Sequence, residues 1–274
     1  MKIYNKCSMR FTMIDNKVGM ILLLLTLCLG QKSIAAPSSL YFYNPESNLN
    51  DFRSLKTGFD NYLSFGTYKF QPFDNQETFE QFLKTRKNGV FFMSSWHYQN
   101  LLKQGYVNLQ PILVGTLNGE FTYTKVLSTK KNIKNIGKLQ GKRIASAANQ
   151  DYTQKILKSM AAQQNLKLNK AFKVLTVPKD IDALMSVLFG MAQGALTART
   201  SLTTLAILNP RKYRLLHQQA ESQAIILPLI IVYKPITQST TQQLLNMIEN
   251  MPNSPIGKEI LAMLGLDGWK KILQ

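Results

Sequence analysis

Thiols are nearly missing from this sequence. Its two cysteines, Cys7 and Cys28, both fall in the first 35 of 274 residues. Residues 36–274 hold none, which excludes a disulfide framework, a zinc–thiolate centre and a cysteine nucleophile from that stretch. Histidine is almost as scarce. His97 and His217 stand far apart with no carboxylate cluster beside them, so no metal site is expected. Acids are outnumbered, 15 against 33 lysines and arginines. They are unpaired apart from Asp180 and Asp182, which read as helix-start residues with Asp180 as the N-cap. No Gly-x-Ser-x-Gly elbow and no phosphate-binding glycine loop occurs, and no nucleophile has a base nearby. The sequence therefore offers no catalytic residue and calls for no cofactor.

Basic residues are plentiful, with a formal net charge of +18. That balance favours small oxyanions, lipid headgroups or nucleic acid as partners. Nucleic acid is set aside, because no arginine-rich helix or aromatic stacking platform is visible. Part of the charge lies in a leader. Lys2, Lys6, Arg10 and Lys17 precede the apolar run "MILLLLTLCLG" (Met20–Gly30), and "QKSIAAP" follows. Basic, apolar and small-residue segments in that order form an export signal, with cleavage expected after Ala35. The run is too short to cross a bilayer core, which needs about 20 residues. The rival is a lipid anchor on Cys28. An exported chain without disulfides fits a bacterial periplasm.

Beyond the leader, strands and helices alternate. "SSLYFYN", "TYKFQPF", "VFFM", "VNLQPILVG" and "FTYTKVLST" read as strands. "ETFEQFLKTRKNG" and "SWHYQNLLKQG" read as helices between them. A second block repeats the pattern. "GKRIAS", "AFKVLTV", "GALT" and "YRLLHQ" are strands, separated by helices over "DYTQKILKSMAAQQN", "PKDIDALMSVLFG" and "SLTTLAILN". The long apolar "QAIILPLIIVY" is a further strand, and two helices close the chain. Such alternation predicts an α/β fold with two doubly wound lobes and mixed, mostly parallel sheets. Ligands of such sheets sit at strand carboxyl ends, here Tyr43-Asn44, Met93-Ser94-Ser95, Ser146 to Asn149, and Thr197.

Several stretches, taken in order, resemble one family. "KNIGKLQGKRIA" resembles the "SLxDLKGKRIA" segment of bacterial periplasmic solute-binding proteins of the phosphonate/phosphite type. "VLFGMAQGALT", "MSSWHYQNLL", "IILPLIIVY" and "SPIGKEILAMLGLDGWKKI" are similar to later segments of that family. The resemblance implies a type 2 periplasmic binding fold that closes on a small molecule and hands it to an ABC transporter. It also implies lobes at 36–123 plus 227–274 and at 124–226, joined by a two-strand hinge. A monomer is expected. The same fold could instead report its liganded state to a membrane sensor, or carry a lipid-like apolar molecule.

The departures concern the ligand. The family usually places a Ser-Thr-Ser run after "GKRIA" to hold phosphonyl oxygens. Here the run is Ala147-Ala148-Asn149-Gln150-Asp151-Tyr152-Thr153, and only Ser146 and Thr153 keep hydroxyls of that kind. Asp151 reads as the cap of its helix, where it would repel a bound anion. Gln193 replaces an aspartate that often reads an amine. The ligand is therefore expected to be an oxyanion or a polar or aromatic solute, but not simple phosphonate. Asn149 and Gln150 could donate to it, or be plain loop residues. Ser94 and Ser95 either cap a helix or offer hydroxyls. Tyr43, Asn44, Trp96, Tyr98, Tyr123 and Tyr152 lie near predicted strand ends, as packing or as recognition surfaces. Arg199, after the strand ending at Thr197, is the best single anion holder.

Overall fold

The computed structural model describes residues 39–46, 52–64, 66, 68–86, 88–133, 135–234 and 239–272. The expected leader, its cleavage point and Cys28 lie outside them. The first sheet has the order β13-β4-β12-β3-β1-β2. Its strands are β1 (Ser39–Tyr43), β2 (Lys69–Pro72), β3 (Val90–Met93), β4 (Leu109–Thr116), β12 (Leu229–Tyr233) and β13 (Gly268–Lys271). The second has the order β10-β6-β9-β7-β8, from β6 (Lys125–Lys130), β7 (Arg143–Ser146), β8 (Lys173–Thr176), β9 (Gly194–Ala198) and β10 (Leu216–Glu221). Each sheet has a parallel trio, β3-β1-β2 or β9-β7-β8, flanked by antiparallel strands. The expected α/β class with two mixed sheets is what the chain forms, but the sheets are not mostly parallel. Four of their nine strand pairings are, because the strands after the crossings and their neighbours add antiparallel partners to each trio.

The chain crosses between the sheets twice. It leaves through β5 (Thr122–Tyr123) and returns through β11 (Ile225–Ile226). These two crossings pair antiparallel, Ile225 opposite Tyr123. The sequence suggests one continuous strand at each place, over "FTYTKVLST" and "QAIILPLIIVY". Thr124 and Leu227-Pro228 interrupt them, because each strand must leave one sheet before joining the next. Proline lacks the N–H that continued pairing would need.

Parallel strands require crossovers, and helices supply them. They are α1 (Phe52–Leu63), α2 (Gln76–Thr85), α3 (Ser95–Lys103), α4 (Gln150–Gln163), α5 (Asp180–Leu188), α6 (Arg199–Leu208), α7 (Pro210–Tyr213), α8 (Ser239–Glu249) and α9 (Pro255–Met263). Helix α2 shows why they form. Asn75 accepts from the Thr78 N–H, Glu77 lies in the first turn and Lys84 in the last, and Phe79 and Leu83 share the buried face. Gly89 follows with φ +134, and a Cβ there would meet the Tyr41 ring at 3.0 Å, so only glycine fits.

One local reading needs correction. The cap of α5 is Lys179, not Asp180, and the Asp182 carboxylate accepts the Lys179 N–H at 3.1 Å. Pro210, just past α6, opens α7 at a position where its missing N–H costs nothing. "GWKK", beyond the last helix, is the edge strand β13. The core around the first sheet is the larger, built from β1, β3 and β12 with Phe42, Phe91, Phe92 and Ile230 fully buried. Two smaller cores flank the second sheet, one centred on Tyr152 and Leu157, the other on Leu184 and Val187.

Candidate functional site

The carboxyl ends of β1, β3, β7 and β9 converge near the double crossing. The ends of β1 and β7 touch directly: the Asn149 N–H donates to the Pro45 carbonyl at 2.9 Å. Asn149 also caps α4, its side-chain oxygen accepting the Tyr152 N–H at 2.9 Å. Asp151, expected to be that cap, is instead an exposed first-turn residue. The reason is register. The cap oxygen must reach an N–H three residues on, and Asn149 is the last extended residue before the helix.

A carboxylate that the sequence did not single out sits at the centre. Glu46 follows Asn44-Pro45, and its N–H is held by the Asn44 side chain at 2.9 Å. Its side chain is 6 % exposed. One carboxylate oxygen accepts from the Tyr123 hydroxyl at 2.6 Å, and that hydroxyl lies 3.0 Å from the Tyr152 hydroxyl. The other oxygen has no hydrogen bond of good geometry among the described residues. The Ser94 hydroxyl and the Trp96 amide, at the start of α3, face the carboxylate without closing that bond. Burial pushes Glu46 up to about 7, against the opposing pull of Tyr123, Lys125, Ser94 and the Trp96 amide. Burial also raises Tyr123 and Tyr152 well above the ordinary tyrosine range, and the Glu46 charge adds to it.

Next to this chain of hydroxyls, Lys125 is buried with its ammonium 3.7 Å from Asp180 and 5.6 Å from the centre of the Tyr123 ring. Asp180 also accepts the Ala198 N–H at 2.6 Å, which ties the end of β9 to the start of α5. Glu46, Tyr123, Lys125, Ala147, Asp180 and Ala198 line a cleft of about 700 Å³. Exposed Lys179, Leu55 and Ala262 to Gly265 are also part of its lining. The volume is that of a small-molecule site.

The expected site residues divide into three groups. Asn44 and Tyr123 line the cleft. Around it stand Tyr43, Ser94, Trp96, Asn149 and Tyr152, which touch one another or Glu46: Asn149 reaches the Tyr43 hydroxyl at 3.5 Å, and Trp96 meets Tyr152 edge-on at 5.6 Å. A second group serves structure. Ser94 caps α3 through the His97 N–H, and Ser95 donates to the Ile226 carbonyl at 2.6 Å. Tyr98 donates to the Leu109 carbonyl at 3.2 Å, and Ser146 accepts the Ala148 N–H at 3.2 Å. The Thr153 and Thr197 hydroxyls are buried without a hydrogen-bond partner among the described residues.

The third group lies outside the cleft lining. Gln150 is exposed at the first position of α4. Arg199 is half-buried and holds Glu221 with two nitrogens, one at 2.6 Å from Oε1, while Thr124 donates to the same oxygen. Gln193 accepts the Arg143 N–H at 3.1 Å, on an exposed part of the second sheet. Among the described residues no group of three or more histidine, cysteine or acidic side chains could hold a metal ion, and no helix is long and apolar enough to cross a membrane.

A two-lobed α/β protein with ligand-sized space where strand ends meet has the form of a periplasmic solute-binding protein. Solved structures share its fold at low identity. A Xanthomonas citri protein, XAC2383, bound to chloride is similar with a TM-score of 0.61 and 12% identity, covering 88% of this chain and 92% of that one. The binding component of an ABC phosphonate transporter from Pseudomonas aeruginosa gives 0.59 and 14%, covering 86% and 82%. PhnD1 from Prochlorococcus marinus in complex with methylphosphonate gives 0.60 and 15%, covering 86% and 93%. A comparison with curated protein sequences returns no match. The chain belongs to the family of phosphonate ABC-transporter periplasmic substrate-binding proteins, whose model matches residues 45–274. Proteins of this family bind small ligands for transport and are not enzymes.

Proposed function

We propose that this protein captures a small amine-bearing solute, such as a zwitterion, and delivers it to an ABC-type permease. Residues 36–123 with 227–274 and residues 124–226 are the two lobes, closing about the paired crossings β5 and β11. A solute that touches both lobes stabilises the closed arrangement through contacts absent when they part. Residues 1–35 are the export signal in this reading.

The buried Glu46 carboxylate, one oxygen of which meets only the imperfect approach of the Ser94 hydroxyl and the Trp96 amide, carries the choice of ligand. A free phosphonate dianion entering the cleft would meet Glu46 and Asp180, with Lys125 already committed to Asp180. The hydroxyl run that would hold phosphonyl oxygens is Ala147-Ala148, and Asn149 fills the mouth of α4 with its own oxygen. An ammonium group would complete the bonding of Glu46 and keep its charge, while Lys179, exposed in the cleft lining, would meet an anionic group.

Native mass spectrometry of protein purified from its own periplasm, followed by calorimetry with methylphosphonate and a panel of small amines and zwitterions, tests this reading. An amine-bearing solute should bind, and Glu46→Gln should weaken it by about a hundredfold, the scale of a buried charged hydrogen bond. Tight binding of methylphosphonate, unaffected by Glu46→Gln, is the result that would sink it.

A further inference from the structure

A second cavity lies on the other side of the Trp96–Tyr152 pair. It encloses about 710 Å³ and shares no lining residue with the cleft. Its floor is apolar and comes from the first sheet, the helices α3 and α4 and the return crossing: Val114 from β4 and Leu229 from β12, Trp96 from α3, Ile156 from α4, Ile225 and Ile226 from β11. Phe121 and Ile226 are unusually open for such side chains, 42 % and 43 % exposed. No aspartate or glutamate lines the groove, whereas four lysines do: Lys103, Lys155, Lys270 and Lys271.

Those lysines are not equivalent. Lys271 is paired with Glu249 at 2.9 Å, and Lys270 lies over the Phe121 ring at 4.9 Å. Lys103 and Lys155 are exposed, on α3 and α4, and neither has a salt bridge among the described residues. An apolar trough with an all-cationic rim is complementary to one kind of molecule, a hydrocarbon chain ending in an anion. The chain would remove the floor from water, and the head would face Lys103 and Lys155. The dimensions fit a single small molecule, within the range of roughly 300–1,000 Å³ for such sites. We infer that this groove binds a monomeric single-chain amphiphile with an anionic head, such as a long-chain carboxylate, independently of the solute in the cleft.

Calorimetry with dodecanoate below its micelle concentration, on the full mature protein, tests the inference. Dodecanoate should bind, and uncharged dodecyl maltoside should bind about tenfold more weakly or worse. Two variants separate the parts of the site. Lys103→Glu with Lys155→Glu changes only exposed side chains and should weaken dodecanoate by about tenfold or more. Gln99→Trp, on the exposed face of α3 beside the groove, should fill the trough and reduce binding of both amphiphiles. Unchanged thermal midpoints establish that both variants fold. Failure of dodecanoate to bind, equal affinity for the uncharged amphiphile, or indifference to the double lysine change would overturn the assignment. So would sedimentation with phosphatidylglycerol vesicles by a protein that ignores monomeric dodecanoate, since a membrane would then be the partner. Loss of cleft binding without loss of dodecanoate binding in Glu46→Gln would show that the two sites fail separately.

Discussion

The Tyr123 hydroxyl donates to Glu46 at 2.6 Å, and this bond joins the first crossing strand to the loop after β1. It is the principal neutral support of a buried carboxylate. Tyr123→Phe should therefore cost about 1–3 kcal/mol, because it leaves an acceptor unsatisfied rather than merely deleting a contact. Tyr152→Phe should cost less, about 1 kcal/mol, since Glu46 keeps its bond to Tyr123. Urea unfolding of both variants checks the order; equal losses would place the support elsewhere.

Glu46 makes stability fall as pH rises. Burial raises it to about 7 from an ordinary 4.5, so the folded protein holds a proton that the unfolded chain releases. The stability this provides is full below about pH 4.5 and disappears as pH passes 7, with a scale of roughly 3 kcal/mol. Glu46→Gln should be more stable than the parent at pH 8 and close to it at pH 4.5. Parallel curves for the two proteins from pH 5 to 8 would contradict the assignment.

His97 works in the opposite sense. It is fully buried against Tyr43 and Phe79, and burial lowers it to about 4 from 6.5. Stability is full above pH 6.5 and is lost as pH falls toward 4, again by roughly 3 kcal/mol. The two residues oppose each other between about pH 4.5 and 6.5, so the parent should show a flat profile there. His97→Phe should tilt it toward greater stability in acid, and Glu46→Gln should tilt it the other way. A sloping parent with unchanged variants would show that neither group governs this range.

Arg199 should matter little to the cleft. Its guanidinium is spent on Glu221 at the surface, where such pairs contribute about 1 kcal/mol or less. Arg199→Ala should shift the affinity for the captured solute by less than about threefold. A loss of a hundredfold or more would return this arginine to the binding site that the sequence suggested for it.

Much of this molecule is written locally. The apolar strands Ser39–Tyr43, Val90–Met93 and Arg143–Ser146 declare themselves by composition, and the helices between them by the spacing of residues such as Phe79 and Leu83. Helix α1 is harder, although Leu55, Phe59 and Tyr62 have helical spacing. Gly58 breaks the local preference, and its reason is tertiary: a Cβ there would stand 3.1 Å from Ile260 of α9. The edge strand β13 is equally silent, because "GWKK" becomes a strand only beside β4. At the site, strand ends pointed to Tyr43, Ser94, Tyr123 and Asn149. Glu46 and Lys125 could not be found that way, since burial of a charge is decided by distant neighbours. An acid just past an Asn-Pro strand end was the only local hint.

The double crossing also sets an order of assembly. Every strand of the second sheet comes from the unbroken stretch between Lys125 and Glu221. The first sheet is split: β3 waits for β12, which begins at Leu229, and β4 waits for β13, which ends at Lys271. On a ribosome, or during export from the amino end, the inserted half has all its partners while the outer half still lacks two strands. The middle of the chain should gain amide protection first in pulse-labelled refolding, and the half that carries Glu46 should close last.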